Sequence, residues 1–301
     1  MLLLSHMTTG RSRTLIWVTV LLLLSHNTFI CLAGSGRQEV PQKIVSLGPI
    51  NTENVYLLGA GDRLVGTTTY CVRPDAAKST AKIGSVLQVS VEKIISLQPD
   101  LVLATGLTRD SQIELLRKVG LKVVRFDQPS SFASSCEQFE QLGQLLGLEK
   151  RAKTITSELR RQIQTIVNRI TALGLPSPKV VMQIGADPLY LSGRDSFTND
   201  FIELILAKNV NDTLSGRIGY ERVIAADPDL ILIAIMGSET GVASKEQEKW
   251  NRINVIKAVQ DQRIHIVDPN LVCSPSPATF VQALHQIVPL IYPQIPKPGT
   301  F

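Results

Sequence analysis

Two stretches of the chain repeat one pattern of apolar and polar positions: EKIISLQPDLVLA at residues 92–104 and ERVIAADPDLILI at residues 221–233. In each, apolar residues first recur at helical spacing, a Pro-Asp pair intervenes, and an unbroken Leu/Val/Ile run follows. Proline removes a backbone donor and clashes with the preceding turn, so the helix must end there, and a continuous apolar run is what a strand covered on both faces requires. The flanks agree. KIVSLGPI at Lys43 and KVVMQIG at Lys179 read as strands upstream, and KVVRFDQPSS and RIHIVDPNLV read as strands that end in an Asp-containing turn downstream. One order of elements written twice predicts two similar α/β lobes.

Further elements follow from the same patterning. Asn51 and Thr52 stand where a helix over ENVYLLGAG would start, and Gly59 and Gly61 stop it. These glycines fail the GxGxxG spacing and follow a helix instead of a strand, so they read as a helix C-cap and not as a dinucleotide loop. RLVGTTTY predicts a second strand ending at Tyr70. A helix over residues 111–119, a strand over 121–127 and a helix over 132–146 complete the first lobe. Between the two copies, Ile155, Leu159, Ile163, Ile166 and Ile170 recur at spacings of three or four. That predicts one amphipathic helix of ~25 residues, roughly 37 Å long at 1.5 Å per residue. A linker of this composition is a rod, not a flexible tether. The expected organisation is a leader (1–33), a first lobe (34–147), a linking helix (148–174) and a second lobe (175–301).

The leader is sequence of a different kind. Arg11 and Arg13 precede an apolar run over residues 15–24, and Cys31, Leu32 and Ala33 offer a cleavage site, the layout of a secretory signal. The rest of the chain is therefore expected in the periplasm or another extracytoplasmic space, with an uncleaved or lipid-bearing N-terminus as the alternative. The formal charge of +5 loses two arginines and no acid with the leader, leaving 29 basic against 26 acidic residues, or +3. The densest basic group, Lys150, Arg151, Lys153, Arg160 and Arg161, shares its helix with Glu149 and Glu158 and reads as a solvated face, not a nucleic-acid surface. Cys71, Cys136 and Cys273 remain, an odd number at irregular spacing; Cys71 and Cys273 would bridge only if the fold brought both to the gap between the lobes. His265 and His285 are too few for a bare-metal receptor, and neither a GxSxG elbow, a P-loop nor a zinc-protease helix is present.

Taken in order, IVSLGPINTENVYLLGAGDRLVGTTTYC, the first repeat, GADPLYLSGRDSFTNDFIELI, the second repeat and HIVDPNLVCSPSPATFVQAL make the chain from Lys43 to about Pro293 resemble the substrate-binding proteins of ABC importers for cobalamin, iron siderophores and haem. The resemblance implies two Rossmann-like α/β lobes joined by one long rigid α-helix, with the ligand cleft between lobes. It implies no intrinsic cofactor and no catalysis, a monomer when free, and delivery of a metal chelate to a permease dimer with its ATPase subunits. Glu92 and Glu221 match the glutamates that dock into arginine-containing pockets on the two permease subunits; read as residues alone, they are acids in a first helical turn that complement the helix dipole. Tyr70 matches a tyrosine whose ring packs on a flat macrocycle or whose oxygen ligates iron, against the ordinary reading of a buried ring with a wet hydroxyl. Asn51 and Thr52 are expected at a helix N-terminus facing the cleft, as ligand contacts or as plain caps. Ser192, Gly193 and Arg194 form the matching turn of the second lobe, and Tyr220 offers a second aromatic wall.

The chain also departs from the cobalamin-binding pattern. Val86 stands where such relatives can carry a tryptophan, the loop over residues 215–220 is short, and Trp250 belongs to a helix-packing context. Cobalamin leads as the expected ligand, with an iron chelate close behind. The rival readings are a chelatase-like enzyme, which needs a convergent His/Glu site, and a receptor coupled to signalling instead of transport.

Overall fold

The computed structural model describes residues 39–236 and 241–296. The expected leader and the last residues of the second lobe lie outside them. The first lobe runs β1 (Ile44–Ser46), α1 (Pro49–Leu57), β2 (Leu64–Thr67), α2 (Val91–Ser96), β3 (Leu101–Thr105), α3 (Asp110–Lys118), β4 (Val123–Phe126) and α4 (Phe132–Leu145). Its four strands are all parallel, in the order β2-β1-β3-β4. The linking helix α5 (Glu149–Ala172) has 24 residues, and Ile163, Ile166 and Ile170 lie on its buried face.

The second lobe continues with β5 (Lys179–Gly185), β6 (Tyr190–Leu191), α6 (Phe197–Leu204), β7 (Lys208–Asn209), β8 (Gly216–Arg217), α7 (Tyr220–Ala226), β9 (Leu230–Ile233), α8 (Val242–Asn251), α9 (Lys257–Gln260), β10 (Ile264–Ile266), α10 (Pro269–Val272) and α11 (Pro277–Ile291). Its sheet is ordered β10-β9-β5-β6-β8. The strands β10, β9 and β5 are parallel, β6 and β8 add an antiparallel edge, and β7 pairs with the start of β5.

The repeat seen in the sequence is a repeat of physical devices. Both helices, α2 and α7, carry their glutamate at the second helical position. Both end on a residue in the left-handed region just before the proline, Gln98 at φ +49° and Asp227 at φ +46°. A left-handed residue closes the helix, and proline then forbids its continuation. The aspartates that follow each hold the start of the first strand of their lobe. Asp100 accepts from the backbone N–H of Gln42 (2.7 Å) and Lys43 (3.1 Å), and Asp229 accepts from that of Lys179 at 2.8 Å. Pro-Asp is thus a corner brace that sets the register of two parallel strands.

The lobes share one apolar core. Phe132 and Cys136 of α4 join Leu159, Ile163, Ile166 and Ile170 of α5, Phe201 of α6 and Phe280 of α11 in a single cluster. Phe280 is stacked on Phe201 with ring centroids 4.0 Å apart and lies 5.1 Å from Phe132, so aromatic rings cross from one lobe to the other. Burial pushes the Cys136 thiol up to about 12, as expected of an inert core cysteine.

Two boundaries differ from expectation. The second strand stops at Thr67 instead of reaching Tyr70, because the chain turns there and the Cys71 N–H donates to the Thr68 carbonyl at 3.1 Å. Helix α1 begins at Pro49 with Gly48 as its cap, which puts Asn51 and Thr52 in the first turn and not at the cap. Proline suits that first position because its missing N–H would have no helical partner. Gly59, at φ +77°, does close this helix.

Replacing either brace leaves backbone donors without their partner. Asp100→Ala and Asp229→Ala are each expected to lower the unfolding free energy by about 1–2 kcal/mol, read from urea denaturation. Asp229→Ala is expected to cost more, because it also strips Lys257 of its carboxylate.

Candidate functional site

Beyond the shared core, loops at the carboxyl ends of parallel strands bring the lobes together, the place where α/β sheets present ligand-binding loops. Gln128, Pro129 and Ser130, after β4, face Ile184, Ser196 and Cys273 of the second lobe across a cavity of about 330 Å³. A larger groove of about 610 Å³ runs between α5 and α11, and its lining includes none of these residues. The cleft is the better candidate, since both lobes contribute to it and the loops of both sheets converge there.

Large apolar side chains stand exposed on loops of both lobes. Tyr70 and Leu107, which follow β2 and β3, are 64% and 65% exposed, and Leu214 and Met236 of the second lobe are 60% and 52% exposed. Large apolar side chains left in water on such loops are suited to covering a flat or bulky apolar ligand face. Leu107, Leu214 and Met236 were not anticipated from the sequence. An apolar residue after a strand reads as core until the fold shows that nothing covers it.

The expected site residues fall into two groups. Tyr70 is exposed after β2, and Arg194 is exposed with no carboxylate partner among the described residues. Asn51 and Thr52 are instead buried and bonded within their lobe: Asn51 Nδ2 donates to the Ala104 carbonyl at 3.0 Å, and Thr52 Oγ1 donates to Ser46 Oγ at 2.8 Å and to the Gly48 carbonyl at 3.0 Å. Ser192 is also fully buried, its hydroxyl 2.6 Å from Thr198 Oγ1. Gly193 fits only as glycine, since a Cβ there would lie 2.3 Å from the Thr213 carbonyl oxygen. These four shape the loops beneath the cleft.

Tyr220 does not form an aromatic wall of the cleft. Its ring packs 4.7 Å from that of Trp250, and its hydroxyl donates to Glu246 Oε2 at 3.1 Å. The network is closed on all sides: Trp250 Nε1 donates to Gln183 Oε1 (2.7 Å), Gln183 Nε2 to Glu246 Oε2 (2.8 Å), and Lys249 Nζ to Glu246 Oε1 (2.6 Å). Burial pushes the Tyr220 hydroxyl up to about 12, with the Glu246 charge adding to it. Burial also raises the Glu246 carboxyl, but the bonds from Lys249, Gln183 and Tyr220 outweigh it and hold the group below the ordinary glutamate range.

Glu92 and Glu221 are both exposed, each in the first turn of its helix. Ser90 Oγ lies 3.2 Å from Glu92 Oε2, the nearest polar contact to that carboxylate. Cys71 and Cys273, whose pairing the sequence left open, are free thiols. Cys71 is fully buried with its sulfur 3.2 Å from Thr68 Oγ1, and the Cys273 thiol donates to the Ala234 carbonyl, so neither sulfur is engaged with the other. His265 and His285 lie apart on β10 and α11, and no three metal-binding side chains cluster among the described residues.

Residues 44–271 match the protein family described as "Periplasmic binding protein". The chain is 33% identical over 263 residues, 85% of its length and 82% of the relative's, to an "Uncharacterized ABC transporter substrate-binding lipoprotein" of Bacillus subtilis. It is 28% identical over 202 residues to a "Cobalamin-binding protein" of Halobacterium salinarum, covering 65% of this chain and 54% of that one. Among solved structures, a periplasmic haem-binding protein from Pseudomonas aeruginosa superposes with a TM-score of 0.78 at 25% identity, covering 87% of this chain and 96% of that chain.

The Glu246 network makes a pH-dependent contribution of definite sign. A carboxyl whose pKa is lower folded than unfolded adds stability above its unfolded value, 4.5, and that contribution is lost as pH falls through the folded value. Glu246→Gln is therefore expected to be less stable than the wild type at pH 7, with the gap narrowing below about pH 4.5, in urea midpoints measured from pH 7 to pH 3.

Proposed function

Because the chain belongs to the periplasmic binding protein family, we propose that it is the extracytoplasmic substrate-binding protein of an ABC importer for a metal chelate. Cobalamin is the leading ligand, with a ferric siderophore or haem next. The observation that carries this reading is the set of large apolar side chains, Tyr70 and Leu107 of one lobe and Leu214 and Met236 of the other, left exposed on loops that follow strands. A corrin or porphyrin face covers such a surface, and burying roughly 100 Å² of it contributes about 2.5 kcal/mol. Arg194, exposed beside the cleft loops, then meets the polar periphery of the ligand.

The function is capture without chemistry. Ligand enters between two lobes that are already joined by a shared core, so little conformational entropy is lost on closure. Glu92 and Glu221, one per lobe and equivalent in their helices, are the proposed docking carboxylates. Each is exposed and able to form charge-assisted bonds with an arginine, and two such points on separate lobes define an orientation that one could not.

Titrating the purified protein with cyanocobalamin, haem and ferric siderophores, by calorimetry and thermal shift, identifies the ligand. A specific ligand raises Tm in proportion to the logarithm of its concentration over Kd, and no response to any of them would sink the chelate assignment. With the responding ligand, Tyr70→Ala is expected to weaken binding by about tenfold or more, the equivalent of ~1.4 kcal/mol. Glu92→Ala combined with Glu221→Ala is expected to leave that affinity unchanged and abolish transport in reconstituted importer vesicles. Equal loss of ligand binding would refute the docking role.

A further inference from the structure

One charged cluster between the lobes lies outside both proposed roles. Arg73, in the loop after β2, reaches across to the second lobe: one guanidinium nitrogen donates to the Asn270 carbonyl and the other to the Ser274 carbonyl at 2.8 Å. That second nitrogen also lies 3.1 Å from Glu53 Oε2 of α1. The other Glu53 oxygen accepts from Ser276 Oγ at 2.8 Å, and Ser276 is the cap of α11. Glu53 is 6% exposed and Ser276 fully buried. A carboxylate so far from water requires a paired cation, and a planar guanidinium can serve that carboxylate and two carbonyls at once.

The same loop is tied down on its own side. Lys82 Nζ donates to Thr67 Oγ1 (2.9 Å), to the Cys71 carbonyl (3.0 Å) and to the Ala77 carbonyl (2.8 Å). The segment carrying Tyr70 is therefore anchored to the first lobe by Lys82 and to the second by Arg73. We propose that Arg73 is a positioning residue: through Glu53, Ser276 and the 270–274 carbonyls it straps the Tyr70 loop to the second lobe and fixes the spacing of the two lobes at that point. The strap is made by the chain's own residues and does not depend on which chelate binds.

Three cysteines make it testable without a ligand. Cys71 lies two residues before Arg73, and Cys273 lies between the carbonyls that Arg73 grips; Cys136 lies in the shared core. Burial pushes the Cys273 thiol up to about 12, with the Asp268 charge adding to it, so its reaction in the strapped state is slow. The experiment is alkylation of the full chain with iodoacetamide, free of ligand, with each cysteine followed separately by mass spectrometry. Arg73→Ala is expected to speed labelling of Cys71 and Cys273 by about tenfold or more through local opening, while the Cys136 rate stays at the wild-type value. Arg73→Lys, which keeps the charge but cannot span three acceptors, is expected to give the same pattern with a smaller increase. Should Arg73→Ala fail to fold, Arg73→Lys carries the test. Wild-type rates at Cys71 and Cys273 in a folded variant would overturn the strap, and so would an equal rise at all three cysteines, which reports general loosening of the fold.

Discussion

The structure depends on an apolar core that does not respect the lobe boundary. Phe132 and Cys136 of the first lobe, the inner face of the linking helix and Phe201 and Phe280 of the second lobe bury one another in one continuous cluster. Each aromatic ring in it contributes about 2–3 kcal/mol by leaving water. Hinging the lobes apart at this point would expose those rings. The linking helix is thus less a connector than the central member of a three-layer contact, and the opposed strand ends on either side of the cleft inherit a nearly fixed separation.

Polar bonds at the lobe interface work within that constraint. The Phe132 N–H, at the start of α4, donates to Asp200 Oδ2 of α6 at 2.5 Å, while burial pushes that carboxyl up against the opposing pull of the amide. The proposed Arg73 strap supplies a second attachment near the cleft. One attachment permits rotation about itself, whereas two separated ones together with a packed core leave only small displacements. A binding protein built this way discriminates mainly by the shape already present between its lobes.

Much of this was legible in the sequence because it rests on local rules. The Pro-Asp corners, the 24-residue helix and the buried parallel strands each follow from spacing and residue type, and the duplicated order made the two-lobed plan readable. The site was less legible, because its chemistry depends on which side of a side chain is covered. Asn51 and Thr52 have the composition of a ligand-facing cap, yet Pro49 starts the helix earlier and turns both inward. Tyr220 has the composition of a cleft wall, yet Trp250 and Glu246 claim its ring and hydroxyl. Leu107 and Met236 look like core and are not. Arg73 and Glu53 carried no local signal at all, since their partners lie about 200 residues away.

The glutamates show how far environment, more than residue type, assigns a role. Glu53 and Glu246 are buried, and each is paired with a cation and accepts from neutral donors inside the fold, so that neither is open to an outside partner. Glu92 and Glu221 are exposed at the second position of short helices, where the free backbone N–H groups favour a negative charge without consuming it. An exposed and lightly engaged carboxylate is what an incoming arginine requires, because little has to be broken before the new bond forms. The repeat places one such group on each lobe, and the shared core fixes the separation between them. Rigidity therefore serves the proposed docking as directly as it serves the cleft, since two charges can match two pockets only if the body between them keeps its length.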